Sequence, residues 1–170
     1  MNRTIQFGWQ ACSKCGGLFF TDRKPLPSCK KDGLAHATQG NTNRGIINAP
    51  TLTDNLPDWE EGNWRFCANC HGLFIIKGDA GKVDYGVCNH AKNGKAHVAD
   101  PNSAIYILQA YGGSPDTQKK AIAYYECSKC GSLYHDWNMT VCNAGGAHTR
   151  QSYDLSGYTD GERYYLLEAR

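Results

Sequence analysis

The chain has 170 residues, of which 41% are hydrophobic, 20% charged and 11% aromatic. That length suits one domain or a few small units packed together. Eighteen Lys and Arg against 16 Asp and Glu leave a formal charge of +2, which argues for neither a nucleic-acid nor a membrane-surface protein.

The segment from Met1 to Gln6 carries no apolar leader core, so the expected compartment is the cytoplasm or, by leaderless export, the exterior. No apolar run approaches the length that spans a bilayer.

The chain then repeats itself. Unit one reads Trp9-x-x-Cys12-x-x-Cys15-Gly-Gly-Leu18-Phe19, followed by Cys29 and His36. Unit two reads Trp64-x-x-Cys67-x-x-Cys70-His-Gly-Leu73-Phe74, followed by Cys88 and His97. Unit three reads Tyr124-x-x-Cys127-x-x-Cys130-Gly-Ser-Leu133-Tyr134, followed by Cys142 and His148. All nine cysteines fall in this pattern, three to a unit, and the first cysteines lie 55 and then 60 positions apart. Such self-similarity decides the architecture before any finer reading.

The expected elements follow in chain order. Each Cys-x-x-Cys turn joins two short strands into a hairpin, the second strand beginning at Leu18, Leu73 or Leu133. After each histidine comes another short strand: Gly45–Asn48, Ile105–Leu108 and Ser152–Leu155. Linkers run from Pro50 to Trp59 and from Gln109 to Lys120, where Ser114-Pro115-Asp116 suits a single helical turn. No longer helix is expected. Residues 163–167, Arg-Tyr-Tyr-Leu-Leu, read as a strand where a fourth unit would begin. Paired near Gln6–Ala11, that strand would close a ring and cover an open edge. The expectation is an all-β, three-fold pseudo-symmetric array of short zinc-stabilised β-hairpin units, closed into a trefoil-like ring. It forms a single domain over 1–170, with repeats at 1–56, 57–112 and 113–155 and a closing strand at 156–170. Three zinc-ribbon beads in a row is the alternative.

Two thiolates two residues apart grip one ion from one tight turn, and a third Cys with a His completes a tetrahedral Cys3His set. The ligand sets are Cys12, Cys15, Cys29 and His36; Cys67, Cys70, Cys88 and His97; and Cys127, Cys130, Cys142 and His148. Three structural zinc ions are the expected cofactors. His97 is preferred over His90 because it precedes the strand as His36 and His148 do. Three cysteines per unit cannot pair within a unit, which speaks against disulfides. Four protein ligands leave no open position for water, which speaks against zinc catalysis. Trp9, Trp64 and Tyr124 are expected to cover the metal sites or to pack between units.

The third unit, with its Cys142-Asn-Ala-Gly-Gly-Ala-His148 loop and Ser152-Tyr153-Asp-Leu155, resembles a tandem repeat of bacterial proteins. That repeat runs W-x-x-C-x-x-C-x-x-L-F, then C-x-A-G-G-x-H, then S-x-x-Y-x-L. The resemblance covers all three units and implies no activity.

The sequence assembles no catalytic centre, and the expectation is not an enzyme but a binding module. Repeated small units suit multivalent recognition. Polar loops with aromatics outside the repeat, Trp59, Trp137 and Tyr111, suit a carbohydrate ligand. A protein-binding or toxin/effector-accessory role is the alternative. Nucleic acid is the third class, but the basic surplus is confined to residues 1–56, with 7 basic and 3 acidic side chains.

Overall fold

A computed structural model describes residues 3–38, 40, 43–51, 56–57, 60–78, 82–88, 90, 96–110, 120–135, 141–150 and 163–168. The described residues form β-strands and turns, with no helix among them. The strands are β1 (Thr4–Ala11), β2 (Leu18–Phe20), β3 (Arg44–Ala49), β4 (Glu60–Phe66), β5 (Leu73–Ile75), β6 (Ile105–Ala110), β7 (Lys120–Glu126), β8 (Leu133–His135) and β9 (Arg163–Glu168). The protein is all-β, as expected. The single helical turn expected at 114–116 and the strand expected at 152–155 lie outside the described residues.

One pairing scheme recurs. β1–β2, β4–β5 and β7–β8 are antiparallel hairpins closed by the Cys-x-x-Cys turns. The long first strand of each hairpin also pairs on its other edge with an inner strand: β1 with β3, β4 with β6 and β7 with β9. A register shift breaks each of these pairs just before the aromatic, between Gln6 and Trp9, Glu61 and Trp64, and Ala121 and Tyr124. Gly8 and Asn63 take positive φ there, at 103° and 65°. Such a bulge bends the strand and re-aims the side chains beyond it.

The inner strands pair with one another. Each divides its length between two partners. The first half of β6 pairs with the second half of β3, through Ile107↔Ile47 and Ile105↔Ala49. The first half of β9 pairs with the end of β6, through Tyr164↔Ala110. The start of β3 pairs with the end of β9, through Arg44↔Glu168 and Gly45↔Leu167. All nine strands therefore belong to one barrel-like, nearly closed sheet, a pairing that separate beads would not make. The C-terminal strand does take part in closure. It does so against β3, β6 and β7, not against Gln6–Ala11 as the sequence suggested, because the free edges of the inner strands face it.

The core fills the inside of this sheet. Trp9, Trp64 and Tyr124 lie in one cluster with Leu18, Leu73 and Leu133 and with Ile46, Leu108 and Leu166, each no more than 2% exposed. Trp9 meets Tyr106 of the next repeat edge-on at 5.1 Å, and Trp64 meets Tyr164 of β9 at 5.4 Å. The aromatics before the knuckles thus pack between repeats. Period-two alternation then sends the following residue of each second strand to the other face. Phe19, Phe74 and Tyr134 leave this core and join three smaller clusters built around the cysteines.

Candidate metal centres

Each knuckle is made by backbone geometry before any ion is considered. The amide after the second Cys donates to the carbonyl of the first: Gly16 to Cys12 at 2.8 Å, His71 to Cys67 at 2.9 Å, Gly131 to Cys127 at 2.8 Å. The first Cys donates to the carbonyl two residues beyond the second, in Gly17, Gly72 and Ser132. This tight turn forces the residue after the second Cys to positive φ: 76° at Gly16, 54° at His71 and 69° at Gly131. Glycine takes this conformation freely, and His71 does so at a cost.

The histidine segment is fixed by a second recurring bond. The amide after the first Cys donates to the carbonyl after the histidine: Ser13 to Ala37, Ala68 to Val98 and Ser128 to Thr149, at 2.9–3.0 Å. The loop from third Cys to His can therefore vary in length while its end is held to the knuckle. This bond places His97, and not His90, in the second cluster. His90 lies with its Nδ1 3.5 Å from Ser28 Oγ instead.

All twelve ligands expected from the sequence come together in three sets, with their donor atoms within 4.8 Å of one another. None of the nine cysteines is in a disulfide, and all are buried. Sγ to Sγ distances are 3.9 Å for Cys12–Cys29, 3.8 Å for Cys67–Cys88 and 3.6 Å for Cys127–Cys142. Sγ to Nδ1 distances are 3.8 Å for Cys15–His36, 3.6 Å for Cys70–His97 and 3.9 Å for Cys130–His148. A tetrahedral ion with metal–sulfur bonds of about 2.3 Å needs sulfurs about 3.8 Å apart. The donor sets fit such an ion, and each histidine offers Nδ1 to it.

Crowding sets the protonation of these thiols. The Cys12 thiol is pulled down to about 3, chiefly by its hydrogen bond from Cys15. Cys67 and Cys127 are pulled down in the same way by Cys70 and Cys130. Those second cysteines are pushed up, first by that same hydrogen bond, at Cys70 and Cys130 next by the bond to Cys88 or Cys142, and then by burial. Within each Cys-x-x-Cys pair the first thiol is thus the readier to ionise.

An aromatic ring lies on every ligand histidine. Phe19 stacks on His36 with centroids 4.7 Å apart, Phe74 on His97 at 4.6 Å and Tyr134 on His148 at 4.5 Å. Sequence reasoning places these aromatics in the hairpins but gives them no role at the metal; the alternation after Leu18, Leu73 and Leu133 is the signal that does. The same three residues bridge by backbone to the next knuckle: Phe19 to Gly72, Phe74 to Ser132 and Tyr134 to Gly17. The clusters are also sealed by neighbours, with Val87 packed on the third and Val141 on the first.

The candidate ligand-binding aromatics Trp59, Trp137 and Tyr111 lie outside the described residues. Among the described residues no helix is long and apolar enough to cross a membrane. Compared with protein-family models, curated proteins and solved structures, the chain matches none.

Proposed function

We propose that the chain is a non-catalytic, zinc-stabilised binding module whose ligand is a carbohydrate. The observation that carries the first half is the completeness of the three clusters. Each holds three thiols and an imidazole at tetrahedral spacing, almost wholly buried, with an aromatic ring on its histidine. Zinc is the ion that such a Cys3His set selects, and a site closed by four protein ligands serves structure, not turnover. The metal then supplies folding free energy to repeats whose own cores are small.

Charge supports the choice of ligand class. Three thiolates and a divalent ion leave each loaded site with one negative charge. Full loading takes the formal +2 of the sequence to about −1. The net positive charge that would favour nucleic acid is thus lost in the loaded protein, although residues 1–56, with 7 basic and 3 acidic side chains, stay locally basic. Polar loops with Trp59, Trp137 and Tyr111 favour neutral sugars, which bind by stacking and hydrogen bonding.

Two measurements test this reading. Metal analysis of freshly purified protein is expected to give three zinc ions per chain, and well under three would overturn the cofactor. A glycan array at low and moderate salt is expected to show salt-resistant binding to one sugar class. A blank would overturn the carbohydrate reading and leave a protein partner, in a toxin- or effector-accessory role, as the alternative.

A further inference from the structure

We infer that Ser132 is a positioning residue for His97, and that through it the second cluster takes part of its metal affinity from the knuckle of the third. The inference rests on reading the clusters as metal sites.

His97 turns Nδ1 towards Cys70 Sγ, 3.6 Å away, and Nε2 towards Ser132 Oγ, 3.0 Å away. With Nδ1 on an ion, Nε2 carries the proton and donates it to the hydroxyl oxygen. Both residues are buried, His97 at 2% and Ser132 at 7% exposure. Water is thus a poor substitute partner. A ligand histidine held at its second nitrogen is fixed in tautomer and ring orientation, and losing that hold typically lowers metal affinity about 10- to 100-fold.

Ser132 belongs to a different site. Its carbonyl accepts the Cys127 amide at 3.0 Å, and its backbone bridges to Phe74, the ring stacked on His97. The hydroxyl that orients His97 is therefore placed by the turn that holds Cys127 and Cys130. The equivalent positions in the other repeats are Gly17 and Gly72, which have no side chain to offer. At Gly72 a Cβ would press on Cys70 Sγ and the Leu18 carbonyl at 3.3 Å. The arrangement is thus specific to the second and third clusters. Loosening that turn would loosen His97 with it.

The test uses the full chain loaded with cadmium-113, followed by NMR. Three signals are expected, each assigned through coupling to its cysteine β-protons. In Ser132→Ala the second-cluster signal shifts, the exchange-protected Nε2 proton of His97 is lost, and a chelator removes that ion about tenfold faster. The first and third clusters keep their signals and release rates. Ser132→Gly, which reproduces what repeats one and two carry, gives the same pattern. An unchanged second cluster would overturn the inference, as would an equal change at all three. Fewer than three signals in the unsubstituted protein would instead overturn the metal reading beneath it.

Discussion

Tyr134 lies flat on His148, with ring centroids 4.5 Å apart and planes 7° from parallel. The backbone of the same tyrosine bridges to Gly17, in the knuckle of another cluster. One residue thus covers the histidine of its own cluster and props the next knuckle. Phe19 and Phe74 do the same in turn, so the three sites are joined in a closed circuit of contacts.

That circuit predicts a shared fate. Stripping the metal with a strong chelator is expected to unfold the protein in one transition, with far-UV circular dichroism and tryptophan fluorescence falling together. Cys127→Ser is expected to lower stability throughout, not only in residues 120–150. Separate transitions for separate repeats would contradict this.

Phe74 is fully buried and holds both His97 and the bridge to Ser132. Phe74→Ala is expected to cost about 3–5 kcal/mol, the usual range for emptying an aromatic core position. Urea denaturation of the metal-loaded protein measures it. A loss below 1 kcal/mol would show that the stack contributes little.

His71 occupies the left-handed position that glycine fills in the other two knuckles, and its buried Nδ1 has no hydrogen-bond partner among the described residues. Its ring packs on Phe66 at 5.3 Å, which returns part of the cost. His71→Gly is expected to raise stability by about 1 kcal/mol, since backbone strain and the unpaired nitrogen together outweigh that contact. Thermal unfolding decides the sign.

Gly17 occupies the place that Ser132 holds in the third repeat, and a Cβ there would find its nearest neighbour, Cys15 Sγ, at 3.7 Å. Its φ is not in the left-handed region. Gly17→Ser is therefore expected to fold and to bring a hydroxyl towards His148, the histidine beneath Tyr134. Chelator competition should show slower release from the third cluster by a few-fold.

Asp100 is buried, pairs with Arg23 and accepts the Asn102 amide at 2.9 Å. The Arg23 hydrogen bond holds its carboxyl below the usual carboxylate range. A depressed folded-state pKa contributes stability above the unfolded value near 4, and that contribution is lost as pH falls through the folded value. Asp100→Asn is therefore expected to cost about 1 kcal/mol at neutral pH, the Arg23 side being half exposed to solvent. The gap to the unsubstituted protein should close below pH 4. A gap independent of pH would assign the effect to packing.

The three Cys3His clusters were legible in the sequence because thiolate spacing is a local constraint. Cys12 and Cys15 must sit on one turn, and nothing distant alters that. The choice of His97 over His90 was legible from order alone, with the Ala68–Val98 bond as its physical cause. The role of β9 was harder to read. Its residues carry no cysteine to mark a repeat, and they match the opening strand of a unit as well as the inner strand they form. Trp9 and Trp64 had two readings, and register shifts between distant strands decided them. Ser132 and His97 touch across two repeats, so no window of sequence contains both.

The ring of inner strands also bears on how the chain is made. Arg44 waits for Glu168, and Gly45 for Leu167. On the ribosome, β3 and β6 are complete long before β9 emerges. Through that interval three strand edges stand open, each ready to accept any strand of similar pattern. At high concentration the nearest such strand is the β9 of another nascent chain. Exchange of that segment between copies is the misassembly this topology invites.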